Sequence, residues 1–364
     1  MPNRRDFFKT VASTTALGLV AGRAAVNAGA RALQATPPTR RQVSIGGKRI
    51  KVVDVHGHLA IPDVADVVKG TPLAKSAPQN QGSQVMGPDR LRTLDERGID
   101  VQVLTQQGAW WYAATDRDLA RQIVRIQNEK TAAWCAAHAD RFVALASVPL
   151  QFPDIAAEQL EEGVKKLGLR GGAISAGMLE GKELSAPEFD VFWAKAQELG
   201  TPLFMHPGGN TGAENHLRGK GNLGNTIGNP LETTIFLSHL IFDGTMDRFP
   251  GLRICAAHAG GYLPSYLGRS QGACTRQPDA CDAMKKPFEA YFKDQIMIDS
   301  MVFREEGLRH LVAEMGANQI MYGTDTPFPW PAEVDFILNA PFLNNAQKEA
   351  ILGGNAMKVF RITV

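Results

Sequence analysis

The run Asp54-Val55-His56-Gly57-His58 places two imidazoles two residues apart inside a β-branched stretch. Side chains two apart on a strand share a face, so both rings converge on one point, and Gly57 between them adds no bulk. Three further groups of the right chemical type end other short apolar runs. They are His206 in Phe204-Met205-His206-Pro207, His258 in Ala257-His258-Ala259-Gly260-Gly261, and Asp325 in Gly323-Thr324-Asp325-Thr326-Pro327. Three histidines and a carboxylate suit one divalent cation, Zn²⁺ before others, with a coordination position left for water or substrate. A bound cation of this kind generates a nucleophile from water near neutral pH, and a neighbouring histidine accepts and returns the proton.

Those five groups need a scaffold that brings distant strand ends together. Eight short β-branched runs supply one: 50–55, 101–105, 142–147, 171–175, 202–206, 253–257, 295–299 and 319–323. Helical periodicity fills the gaps between them, clearest over 118–137, 155–167, 187–199, 230–243 and 346–360, and Asp116, Pro153, Pro187 and Pro230 open helices as capping requires. Eight strands alternating with helices predict an α/β fold, a (β/α)8 TIM barrel over 50–364. In a barrel all five groups fall at the C-terminal face, where catalytic residues collect. No G-x-G-x-x-G follows the first strand, which argues against a dinucleotide-binding open sheet. Two insertions interrupt the alternation, a Gly- and Gln-rich one at 70–88 and a Gly- and Asn-rich one at 207–229.

The chain has 364 residues, 44% of them hydrophobic and 21% charged, a composition that excludes a disordered polymer. Its net charge of +2 is concentrated at the start, where Arg4, Arg5, Lys9, Arg23 and Arg31 face only Asp6 within 32 residues. The remaining body is near neutral, which argues against a nucleic-acid partner. Arg4-Arg5-Asp6-Phe7-Phe8-Lys9, an uncharged run from Thr10 to Gly22 and Ala30-Arg31-Ala32 read as a signal peptide over 1–32, of the twin-arginine type, with periplasmic export as its consequence. The apolar run is too short for a permanent membrane anchor. Residues 33–49 read as a linker. Four cysteines exclude a disulfide scaffold, although Cys274 and Cys281 are close enough in sequence to pair after export.

The order H-x-H, then His after strand five, His after strand six and Asp after strand eight resembles the amidohydrolase superfamily. Further segments narrow the likeness: Ile99-Asp100-Val101, Val148-Pro149-Leu150-Gln151, Pro230-Leu231-Glu232-Thr233, Arg248-Phe249-Pro250, Gly268-Arg269 and Pro327-Phe328-Pro329. Together they are similar to the subgroup of aminocarboxymuconate-semialdehyde and resorcylate decarboxylases, over essentially all of 50–364. The resemblance implies that His56, His58, His206 and Asp325 bind one Zn²⁺, with His258 off the metal as acid/base and Asp325 also catalytic. It implies a homodimer in which Arg269 reaches the neighbouring site and grips the carboxylate of a small carboxylic acid substrate. The expected reaction is decarboxylation of a small unsaturated or aromatic acid by zinc-bound water and His258. Hydrolysis of an ester, lactone or amide on the same site is the alternative. Strand four ends without lysine (Arg170-Gly171-Gly172-Ala173-Ile174-Ser175), so one metal is expected rather than two. Trp110, in Trp110-Trp111-Tyr112, and Phe328 are expected to wall an apolar substrate pocket.

The sequence also departs from the subgroup's pattern. The prototype carries a substrate-binding arginine in the insertion after strand one, whereas 62–89 here holds Lys69 and Lys75 and no arginine. The tryptophans expected beside the strand-five histidine are replaced by Gly208 and the Gly/Asn-rich stretch. The prototype's own substrate is therefore not expected here.

Overall fold

The computed structural model describes residues 40–78, 82–106, 108–209 and 211–363. The signal peptide expected over 1–32 lies outside the described residues. Eight parallel strands carry the fold: β1 (Val53–Leu59), β2 (Val101–Gln106), β3 (Phe142–Ala144, resuming as Ala146–Ser147), β4 (Gly172–Ser175), β5 (Leu203–His206), β6 (Ile254–Ala256), β7 (Ile296–Asp299) and β8 (Ile320–Met321). Each pairs with its chain neighbour, and β3 links the two runs through its two pieces. The ring closes between β1 and the segment after β8: Val55 donates its N–H to Tyr322 O at 2.9 Å and His58 donates to Thr326 O at 2.7 Å. The expected TIM barrel is thereby present. Several strands come out a residue or two shorter than the apolar runs, whereas β1 and β2 extend beyond theirs.

The principal helices cover the outside: α1 (Pro88–Arg97), α2 (Arg117–Ala137), α3 (Pro153–Lys165), α4 (Asp190–Leu199), α5 (Asn229–Phe242), α6 (Leu267–Arg276) and α7 (Glu305–Met315). Their ends follow local chemistry. The Asp116 carboxylate accepts from Leu119 N at the start of α2, Pro153 sits in the first turn of α3, and Gly98 and Gly200 end α1 and α4 in the left-handed conformation. The C-terminal helical stretch expected over 346–360 is one path with a π-helical middle, Asn345–Glu349, Ala350–Gly354 and Asn355–Val359.

Inward-facing Val53, Val55, Val101, Val103, Phe204 and Met321 fill the barrel below the site, so the interior is a packed core and not a pore. A larger apolar layer lies between strands and helices, including the fully buried Trp193, Phe192, Leu94 and Leu160. No helix among the described residues is long and apolar enough to cross a membrane.

One expectation is corrected. Residues 40–49, assigned to a linker, belong to the folded body. Ser44–Ile45 and Lys48–Arg49 pair as an antiparallel hairpin, and Val43 is buried. Arg40 and Arg49 both meet Asp100, at 2.7 and 2.6 Å, and Arg41 meets Asp335 at 2.6 Å. The segment's arginines are what anchor it.

Candidate metal centre

The H-x-H pair depends on an irregularity in β1. Its register against β2 runs Val53 to Val101 and Asp54 to Gln102, then shifts so that Gly57 faces Leu104 and His58 faces Thr105. Asp54 is fully buried and holds this bend. It accepts hydrogen bonds from the backbone N–H groups of His56 and Thr324, both at 3.0 Å, and from Gln102 Nε2 and Thr324 Oγ1, both at 2.6 Å. Burial pushes its carboxyl above the usual range against those donors. Gly57 is required here, since a Cβ would lie 2.6 Å from Gln102 Cγ.

Four groups, His56, His206, His258 and Asp325, bring ligand atoms within 4.8 Å of one another. His58 joins them: its Nε2 is 3.1 Å from His56 Nε2 and 2.9 Å from Asp325 Oδ1. All five expected residues therefore meet at one end of the barrel. His258 and Asp325 both have left-handed backbones, φ 54° and 57°, an arrangement that costs non-glycine residues roughly 1–3 kcal/mol and recurs at functional sites.

The outer nitrogens of the histidines separate them into two kinds. His56 Nδ1–H donates to Asp299 Oδ2 at 2.8 Å and His206 Nδ1–H donates to Pro207 O at 2.8 Å. His58 Nδ1 lies 3.3 Å from Thr105 Oγ1. Each contact turns Nε2, with its lone pair, toward the centre, as metal-binding histidines require. His258 Nδ1 is buried with no hydrogen-bond partner among the described residues, and its Nε2 lies 3.9 Å from Asp325 Oδ2.

Electrostatics agree with a cation at the centre. Burial lowers His58 to about 4 and takes His206 well below the ordinary imidazole value, aided by the neighbouring histidines. For His56 burial also opposes the charge, but Asp325 and Asp299 outweigh it and hold its pKa above the usual value. Burial acts against the Asp325 carboxylate as well, yet His56, His258 and His58 keep it ionised far below the carboxylate range. Asp325 Oδ1 sits among these rings with no hydrogen-bond geometry satisfied, an orphaned buried oxygen aimed where a metal would sit. The donor set and this orphan fit a divalent metal. The other oxygen, Oδ2, accepts from Trp330 Nε1 at 2.9 Å.

A cavity of about 410 Å³ opens above the centre, lined by His206, Asp325, Phe328, Pro329, Trp330 and three asparagines, Asn222, Asn225 and Asn229.

A description of the amidohydrolase family matches residues 53–362. The chain belongs to this family. Among its relatives, the 2-amino-3-carboxymuconate-6-semialdehyde decarboxylase of Dictyostelium discoideum is 30% identical over 76% of this chain and 77% of its own length. The gamma-resorcylate decarboxylase of Rhizobium sp. (strain MTP-10005) is 30% identical over 75% of this chain and 86% of its own. A solved 2,6-dihydroxybenzoate decarboxylase, complexed with 2,6-dihydroxybenzoate, superposes with a TM-score of 0.73 at 28% identity, covering 86% of this chain and all of its own. These relatives are decarboxylases of small carboxylic acids.

In this amidohydrolase Phe328 occupies the expected wall, its ring 5.9 Å from that of His58. Trp110 does not. It is half-buried against the apolar layer, and its neighbour Trp111 instead lines a small cavity beside His206 together with Thr105 and Ser175. The chain turns as a short 3-10 helix over Trp110–Ala113, so Trp110 and Trp111 face different surroundings. Arg269 lies exposed on α6, outside the cavity of its own chain, with no ion pair among the described residues. Cys274 and Cys281, at the end of α6 and in the turn beyond, form a disulfide.

Two supporting acids went unread. Asp299, besides holding His56, accepts the backbone N–H of His258 at 2.9 Å and of Ala259 at 2.7 Å, and so fixes the left-handed turn. It ends β7, and an acid ending a barrel strand was the available signal. Glu232 on α5 is buried and accepts from the N–H groups of Gly208 and Gly209 at 2.9 and 2.7 Å, setting the turn that follows His206.

Proposed function

We propose that this amidohydrolase is a carboxy-lyase that removes CO₂, without oxidation, from a small unsaturated or aromatic carboxylic acid. One divalent metal, Zn²⁺, would be held by His56, His58, His206 and Asp325, and it would supply a Lewis acid that polarises bound oxygens. His258 is the acid/base group. The observation that carries this reading is its unpartnered Nδ1: the outer nitrogens of the other three histidines face fixed partners, whereas none among the described residues fixes the His258 ring. In the reaction the bond from the substrate carbon to its carboxylate breaks, the electron pair stays on that carbon, and a proton delivered by His258 takes the place of CO₂. Asp299 keeps the His258 turn in place, and Phe328 and Trp330 shield one side of the cavity from water. Arg269 from a second copy supplies the guanidinium that grips the substrate carboxylate, an assignment supported by its exposure on α6 and its lack of a partner among the described residues.

The test is metal-analysed protein given aromatic and muconate-type acids, esters and lactones, with CO₂ release and acid release followed together. CO₂ release that is lost with the metal in His56→Ala, and lost with the metal retained in His258→Gln, is the expected result. Acid release without CO₂ would replace the lyase with a hydrolase on the same site.

We also propose that the chain is exported through its Arg4-Arg5 signal. Support comes from the disulfide between Cys274 and Cys281, a bond that persists in oxidising compartments. Cell fractionation of the full chain checks this: Arg4→Lys with Arg5→Lys should strand it in the cytoplasm.

A further inference from the structure

The insertion after β5 ends in a π-helical turn, Gly224–Gly228, that runs directly into α5. Asn222, Asn225 and Asn229 lie along this path, and all three line the cavity above the metal centre. Asn222 holds a left-handed backbone at φ 51°, and its carbonyl accepts the N–H groups of Asn225 and Thr226, both at 2.9 Å. None of the three side-chain amides bonds to another described residue. Opposite them stand Phe328 and Trp330, the latter stacked at 10° on Phe303. Among the described residues of the one chain, the walls contain no lysine or arginine, and Asp325 at the floor is their only carboxylate. The start of α5 adds no free anion-binding N–H at this wall, because Asn229 N is already bonded to Gly224 O.

We infer that Asn225 and Asn229, with Asn222 at the rim, determine substrate specificity by reading an uncharged hydroxyl on a flat ring whose carboxylate lies at the metal centre. The inference rests on the carboxy-lyase reading for that placement. Each amide offers a donor and an acceptor, which matches a hydroxyl that does both. A second carboxylate pointing away from the metal would be stripped of water against amides and aromatic faces. The site therefore selects monocarboxylic hydroxyaromatic acids over dicarboxylic ones.

Stopped-flow quenching of tryptophan fluorescence in the metal-loaded protein tests this, since it reads binding before turnover. The probes are benzoate, its three monohydroxy isomers and the three benzenedicarboxylates, with CO₂ release assayed on the same solutions. At least one hydroxybenzoate should bind about tenfold or more tighter than benzoate and than every dicarboxylate, the scale of one well-placed hydrogen bond. Asn225→Ala with Asn229→Ala should erase that preference while leaving benzoate within about twofold. The isosteric Asn229→Asp, which preserves shape, should weaken the hydroxybenzoate and the dicarboxylates alike. A dicarboxylate bound as tightly as the best hydroxybenzoate, a preference that survives the double alanine variant, or no binding of any probe would overturn the inference. A preserved preference with no CO₂ from any acid would sink the carboxy-lyase and leave the asparagine assignment standing.

Discussion

Asp299 receives the Nδ1–H of His56 at 2.8 Å on the same oxygen that takes the backbone N–H of His258 at 2.9 Å. One carboxylate thus orients a metal-facing ring and fixes the turn that carries the proposed acid/base group.

Replacing it tests both duties. Asp299→Asn keeps the volume and removes the charge that fixes the His56 tautomer. Metal affinity should fall by about 10- to 100-fold, as for other outer partners of metal-binding histidines. Metal content after dialysis against graded chelator reads the loss, and an unchanged circular dichroism spectrum separates it from unfolding.

Metal uptake should release protons. A cation binds neutral imidazole, so a proton on the ring competes with it, and affinity rises with pH until the ring is neutral. His58, lowered to about 4, and His206, lowered further, are neutral at pH 7 and release nothing. His56 is held protonated more readily by Asp325 and Asp299, so it gives up the competing proton. Titration calorimetry at pH 7 in buffers of different ionisation heat should therefore show release of up to about one proton per ion. Metal-bound water can add a second, so more than two would contradict the neutral state of the other two rings.

Gly57→Ala should damage the site through packing. The added methyl needs the space of Gln102, which links Asp54 to Arg90 through bonds of 2.6 and 2.9 Å. A cost of about 1–3 kcal/mol in denaturant unfolding is expected, the range for overpacked cores. Stability within error of the native chain would show that the bend in β1 has slack.

Arg269→Ala and His258→Gln, each inactive alone, should complement one another when mixed and reassembled. In a two-fold dimer a mixed pair holds one site with neither change, so random pairing restores about a quarter of native activity. No recovery would mean that Arg269 serves its own chain or no site at all.

The five converging groups were legible because barrel strands end at a common face, so a local feature, a polar residue closing an apolar run, reports a global position. The same logic would have found Asp299 at the end of β7. Trp110 and Trp111 show where this stops. A 3-10 turn rather than a strand carries them, and no two-residue alternation says which ring faces the cavity. The asparagine set was hidden for a related reason. Its residues fall in a Gly- and Asn-rich stretch where Gly224 and Gly228 mask the π-helical turn in composition, so it read as loop. The hairpin at 44–49 was missed because its partners, Asp100 and Asp335, are distant in sequence.

That hairpin also sets the shortest chain worth expressing. Asp100 is 1% exposed and is neutralised by Arg40 and Arg49, with Val52 N as a third partner at 2.8 Å. A recombinant product trimmed to the first barrel strand would keep the carboxylate and discard both guanidinium groups. Stranding a buried charge in this way costs about 3–5 kcal/mol. A cut after Ala32, the end of the proposed signal, leaves the hairpin whole and so also suits the refolding bench.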